Sequence, residues 1–162
     1  MKIGNHGLRE HIRFLMPLFG LIAAVWLLRL VVDKAGTPAP IVRMVSVTVA
    51  GSASILLAVL LIHFKSLGSY GDIVAAAFLL ELWSQLLICS AIAFSALTGT
   101  VNIYSAPEYS PRTGPLAHIF GHMTFGLGMG TLFGAGMGCL LLWLLRRVVP
   151  ATGGKTHLRT SH

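Results

Sequence analysis

Four stretches of this chain, residues 14–32, 41–63, 73–97 and 116–149, are apolar over lengths that most soluble folds cannot accommodate. A helix needs about 20 mostly apolar residues to cross a hydrocarbon layer of about 30 Å. Helices of a soluble bundle keep a polar face with a period of about 3.6 residues. These segments are apolar all round, so lipid suits them better than water. Composition agrees: 55% of the residues are hydrophobic and only 10% are charged, against roughly a quarter charged in average soluble domains. The pattern predicts an all-α integral membrane protein with four transmembrane helices in an antiparallel bundle. Segment 1–13 precedes the transmembrane domain, 14–149, and a polar tail, 150–162, follows it. The basic start and the apolar stretch behind it could suggest a signal peptide. The stretch is longer than a usual signal core, and Asp33 and Lys34 interrupt the approach to the small residues at 35–40, so an uncleaved first helix is expected.

The basic residues set the orientation. With four spans, Lys2, Arg9, Arg13, Lys65, Arg146, Arg147, Lys155 and Arg159 share one side. Arg29, Lys34, Arg43 and Arg112 take the other. This bias predicts that both termini are cytoplasmic, and with the short loops it suggests a bacterial inner (plasma) membrane. The net charge of +7 then reflects topology and attraction to anionic headgroups. Because no basic stripe is interleaved with aromatics, nucleic acid is not an expected partner. The lipid bilayer is.

Between the spans, residues 33–40 read as a Gly- and Pro-rich turn. The turn at 65–71 offers Ser69, and then Asp72, as caps for the third helix. The longest loop, 98–115, carries Tyr104 and Tyr109, which are expected at the outer interface. Arg29 is expected to snorkel to headgroups or pair with Asp33. Cys89 and Cys139 fall at different depths in neighbouring helices and read as small apolar residues rather than a disulfide. No internal repeat is detectable, which argues against a small inverted-repeat transporter.

The fourth span has an unusual spacing. Gly114, His118, His122, Gly126, Gly130, Gly134 and Gly138 recur every fourth residue. Small residues at this spacing let membrane helices pack closely, so Gly126 to Gly138 predict a glycine zipper with a right-handed crossing. A step of four drifts by roughly 40° on a straight helix, which makes the glycines one broad groove. Gly128 and Gly136 form a second line, suggesting contact with two neighbours. The histidines do not share the face of Gly138 and need a separate account. His118 and His122, one turn apart, could ligate a metal as neutral imidazoles, with Glu108 or Asp33 as a third ligand. The alternative is that they hydrogen-bond to loop carbonyls or headgroups. A haem would need a histidine from another helix at similar depth. His63 lies at the opposite membrane face, so a partner subunit would have to supply it.

Glu81 lies about ten residues into the third span, near 15 Å of depth at 1.5 Å per residue, close to the middle of the layer. An ionisable group there is costly and marks a candidate functional site. Gln85 follows one turn on, and Ser84 adjoins the same patch. Depth-matching in the antiparallel fourth helix sets Glu81 beside Gly134. Ser46, Thr48, Ser52 and Ser54 of the second span could line a polar seam, and Trp83 reads as packing. Glu81 could be a protonated hydrogen-bonding strut, a proton or cation carrier, or a contact for a bound quinone, pigment, lipid or partner subunit.

No GxSxG, P-loop, HExxH, CxxC or dinucleotide fingerprint occurs, so an enzyme is not the leading expectation. The leading reading is a structural or accessory subunit of a larger membrane complex, packing through the fourth helix against other membrane subunits or itself. One alternative is a homo-oligomeric channel or proton- or cation-coupled transporter using Glu81. Another is a metal- or haem-binding membrane redox component using His118 and His122 at the outer side.

Overall fold

The computed structural model describes residues 2–3, 6–65, 68–106 and 114–149. Two short strands, β1 (Lys2–Ile3) and β2 (His6–Gly7), pair antiparallel. The helices are α1 (Leu8–Lys34), α2 (Ala39–Met44), α3 (Val47–Phe64), α4 (Tyr70–Thr98), α5 (Pro115–Gly121) and α6 (Leu127–Val148). A π turn over His122–Gly126 joins α5 to α6. Four spans among the described residues are long and apolar enough to cross a membrane: α1, α2 with α3, α4, and α5 through α6. The tail 150–162, Glu108 and Tyr109 lie outside the described residues.

α1, α3 and α4 begin where the sequence supplies a cap. α1 starts at Leu8, inside the segment expected to precede the first span, because the Glu10 carboxylate accepts the Gly7 N–H at 2.7 Å. The second span is not continuous. Val45 leaves the helical region after Met44, and Ser46 restarts the chain as the cap of α3, its hydroxyl accepting the Val49 N–H at 3.4 Å. Ser69 and Asp72 cap α4 as expected. The Asp72 carboxylate accepts the Ser69 N–H at 2.6 Å and the Ser69 hydroxyl at 2.8 Å. Gly99 ends α4 in the left-handed conformation that glycine adopts without strain.

α4 is the centre of the molecule and packs against α6, α3 and α1. Its face presents Ala77, Leu80 and Ile92 to Leu15 and Ile22 of α1 and Ile55 and Ala58 of α3, all buried. Trp83 is part of this packing. Its indole N–H donates to the Phe19 carbonyl at 3.1 Å, and its ring meets Phe19 edge-on at 5.9 Å. At one end of the bundle, His11 Nε2 lies 3.1 Å from Asp72 Oδ1, so α1 is tied to the start of α4. At the same end Arg146 donates to the Gly68 carbonyl at 3.0 Å.

At the other end, the loop after α4 folds back over the helices. The Asn102 amide donates to the Ala91 carbonyl at 2.8 Å, and its oxygen accepts from the N–H groups of Tyr104 and Ser105. Asp33 accepts the Ile103 N–H at 3.0 Å, and Lys34 donates to the Val101 carbonyl at 2.9 Å. Tyr104 is packed into the protein at this end. It is only 6% exposed, and the Arg29 guanidinium lies 4.8 Å from the centre of its ring. Arg29 thus caps an aromatic ring. Burial raises the Tyr104 phenol above its ordinary value, and the nearby Arg29 charge partly offsets this. Both cysteines are free.

Candidate functional site in the α3–α4–α6 cleft

Glu81, Gln85 and His122 come together in one chain of polar contacts. Glu81 and Gln85 are one turn apart on α4, and both are buried. The Gln85 amide nitrogen lies 3.5 Å from Glu81 Oε2, the long limit for a hydrogen bond. His122 Nδ1 lies 2.8 Å from Gln85 Oε1. Since the amide oxygen can only accept, the His122 ring donates from Nδ1 in this arrangement. Its Nε2 then carries a lone pair. His118 stands beside His122 with ring centres 5.0 Å apart, and its Nδ1 is buried with no partner among the described residues. Ser84 turns away from this chain and donates to the Leu80 carbonyl at 2.9 Å.

The glycines of the fourth span explain how these side chains fit. A Cβ at Gly126 would stand 2.8 Å from Gln85 Oε1. One at Gly130 would stand 2.6 Å from Glu81 Oε2. Farther along, a Cβ at Gly134 would meet Ile55 at 2.5 Å, and one at Gly138 would meet Ile73 at 2.8 Å. Each glycine thus admits a side chain from α3 or α4. Glu81 sits over Gly130, one turn from the Gly134 position that depth-matching suggested. On α3, a Cβ at Gly51 would press on the Ser84 hydroxyl at 3.0 Å and lie in ordinary contact, 3.6 Å, with the other carboxylate oxygen of Glu81. The carboxylate therefore lies in the slot that Gly130 opens, with Gly51 of α3 on its other side. The second glycine line behaves differently: a Cβ at Gly128 or Gly136 would meet nothing within 4 Å, so those positions make no second close contact within the described chain.

The π turn aims His122. The Leu127 N–H bonds to the His122 carbonyl, five residues back, so one extra residue enters the helical ladder. Such turns are rare, and they recur at functional sites. Thr124 supports the distortion by donating to the Phe120 carbonyl at 2.7 Å, a back-bond of the kind that bends helices. The glycine and histidine rows consequently do not follow the straight-helix drift.

The chain of contacts lines a cleft of about 490 Å³ between α3, α4 and the fourth span. Thr48, Ser52, Glu81, Gln85 and His122 provide its polar wall, and Ile55, Leu56, Met129, Phe133 and Met137 its apolar wall. Of the expected serine seam, Thr48 and Ser52 reach the cleft, Ser46 caps α3, and Ser54 is fully buried without a partner among the described residues.

For a metal, His118 and His122 are the adjacent pair of imidazoles. Among the described residues no group of three His, Cys, Asp or Glu side chains lies together, and Asp33 is engaged with the Ile103 N–H. His63, the other candidate for haem ligation, is buried and packs edge-on against Phe64 at 5.3 Å. Sequence reasoning missed Gly51 and the π turn. Gly51 sits in a run of small residues with nothing to single it out, whereas the histidine–glycine spacing marked the region of the turn.

Comparison of the chain with known protein families, with curated proteins and with solved structures finds no match.

Proposed function

We propose that this chain is a bacterial inner-membrane protein with an antiparallel four-helix bundle and both termini in the cytoplasm, and that it handles protons at the Glu81–Gln85–His122 site. The observation that carries this reading is the seat that Gly130 leaves for the Glu81 carboxylate. The fourth span leaves out a side chain at Gly130 so that one carboxylate can lie against its backbone, next to an amide and an imidazole. Each member can exchange a proton or reverse its hydrogen bonds. With Glu81 ionised, the Gln85 amide donates to it and accepts from His122. With Glu81 protonated, the amide can turn over, accept from the acid and donate to the ring. In the proposed topology, His118 and His122 lie toward the outer face and Glu81 near the middle of the layer, so the chain of contacts covers the outer half of a proton path.

The test is proton flux in vesicles holding the full chain, followed with an entrapped pH dye. Glu81→Gln keeps the shape of the side chain and removes its ionisation. Flux above that of empty vesicles, lost in Glu81→Gln, is expected. Equal flux in the two proteins contradicts the reading.

A second reading, a packing subunit of a larger complex, is favoured by the uneven burial of the spans. The most apolar stretches of α1 and of the fourth span are each 17% buried, against 44% and 50% for the other two. The open line at Gly128 and Gly136 would suit a neighbouring helix. Native mass spectrometry after gentle extraction tests it: a heteromeric mass supports the subunit, and a small multiple of 17.3 kDa points to self-assembly.

A further inference from the structure

We infer that the cleft between α3, α4 and the fourth span binds the head group of a membrane-soluble quinone. The inference rests on the proposed proton-handling site and names the ligand that site would face.

The cleft has two ends of different chemistry. Gln85 meets His122 over Gly126, Glu81 lies one turn on over Gly130, and Ile55 lies a further turn on against Gly134; Thr48 and Ser52 add hydroxyls to the wall, and Leu56, Phe133 and Met137 add apolar surface. A ligand that fills it has a polar head and an apolar body. None of the lining residues is lysine or arginine, so a phosphate head would find no cation there. A neutral head with oxygens that accept or donate hydrogen bonds suits the set. Hydroxyl, amide and imidazole groups do both, so the same wall can serve ring carbonyls in the oxidised form and ring hydroxyls in the reduced form. Met129, Phe133 and Met137 supply thioethers and an aromatic face, which pack well on a flat ring. The volume, about 490 Å³, lies within the range of roughly 300–1,000 Å³ usual for small-molecule sites. Phe133 and Met137 are 64% and 58% exposed, so the cleft is open along the lipid-facing side of the fourth span and a hydrophobic ligand can enter from the bilayer.

The test uses the full chain in lipid nanodiscs loaded with decylubiquinone. Quinone retained after purification is extracted and measured against empty nanodiscs. Saturable retention near one molecule per chain is expected. Met137→Trp fills the cleft from an exposed position and should abolish it, and Leu140→Trp, at an exposed position outside the cleft and the π turn, should leave it unchanged. His122→Phe should weaken binding by about tenfold, the effect of one hydrogen bond lost in a dry site. Retention equal to that of empty nanodiscs, retention indifferent to Met137→Trp, or a phospholipid found in place of the quinone would overturn the inference. The same protein is scored for Glu81-dependent proton flux. Flux without quinone retention removes the ligand alone, and loss of both removes the underlying reading as well.

Discussion

Replacing Gly130 with alanine puts a methyl carbon 2.6 Å from Glu81 Oε2 and 2.7 Å from its carboxyl carbon. Ordinary contact begins at 3.4 Å, so the carboxyl group must retreat by about 0.8 Å in a close-packed site. Retreat drives it toward the Gly51 backbone and stretches a Gln85 contact that is already 3.5 Å long. Overpacking of this kind costs about 1–3 kcal/mol. Gly136→Ala is the same chemical change, six residues along the same span, where nothing lies within 4 Å. There the only effect is helix preference, a gain of about 0.5–1 kcal/mol. The helix preference is common to both, so the two variants should move apart by the overpacking cost, roughly 1–3 kcal/mol. Unfolding by SDS in mixed micelles, followed by far-UV circular dichroism, measures the difference. Pairing Gly130→Ala with Glu81→Ala removes the overlap, so the double variant should recover part of the loss. Equal stability of Gly130→Ala and Gly136→Ala would refute the slot.

Other sites give independent predictions. Asp72→Ala removes both the cap of α4 and the partner of His11 Nε2, and should destabilise the fold by about 3 kcal/mol or more in the same assay. Asn102→Ala removes the amide donor to the Ala91 carbonyl and the acceptor of the Tyr104 N–H, while the Ser105 N–H keeps the backbone carbonyl of residue 102; a loss of about 1–3 kcal/mol is expected, with faster proteolysis of the loop after α4. Tyr104 should ionise at higher pH than an ordinary tyrosine, because its folded-state value is raised by burial. The unfolded chain then loses this proton first, so stability from Tyr104 is complete below the ordinary value of 10.0 and declines as pH rises above it. Ultraviolet absorbance of tyrosinate should show one late-titrating group that Tyr104→Phe removes.

The four spans were legible because hydrophobic length is a local property of sequence. The caps at Ser69 and Asp72 were legible for the same reason: side chain and target lie three residues apart. The break at Val45 and Ser46 was hidden by apolar neighbours on both sides, which made the second span read as one run. Glu81 and Gln85 stood out as polar residues in a lipid setting, but their partner did not. His122 reaches Gln85 through a π turn that shifts the helical register, and a straight-helix argument set it apart from the glycine groove. Depth-matching set Glu81 a turn too far along the fourth span, beside Gly134, because small errors in where each helix enters the layer add up. The inward fold of Tyr104 depends on Asn102, Asp33 and Arg29 converging from distant parts of the chain, which no local pattern encodes.

The role proposed for Glu81 is that of a protonatable group coupled through Gln85 to His122. Infrared difference spectroscopy of the protein in lipid, taken across a pH step, observes this group directly. A carboxyl carbonyl band should change with pH, vanish in Glu81→Gln, and shift in frequency in His122→Phe while the fold is retained. A spectrum that is the same in wild type and Glu81→Gln would contradict the account.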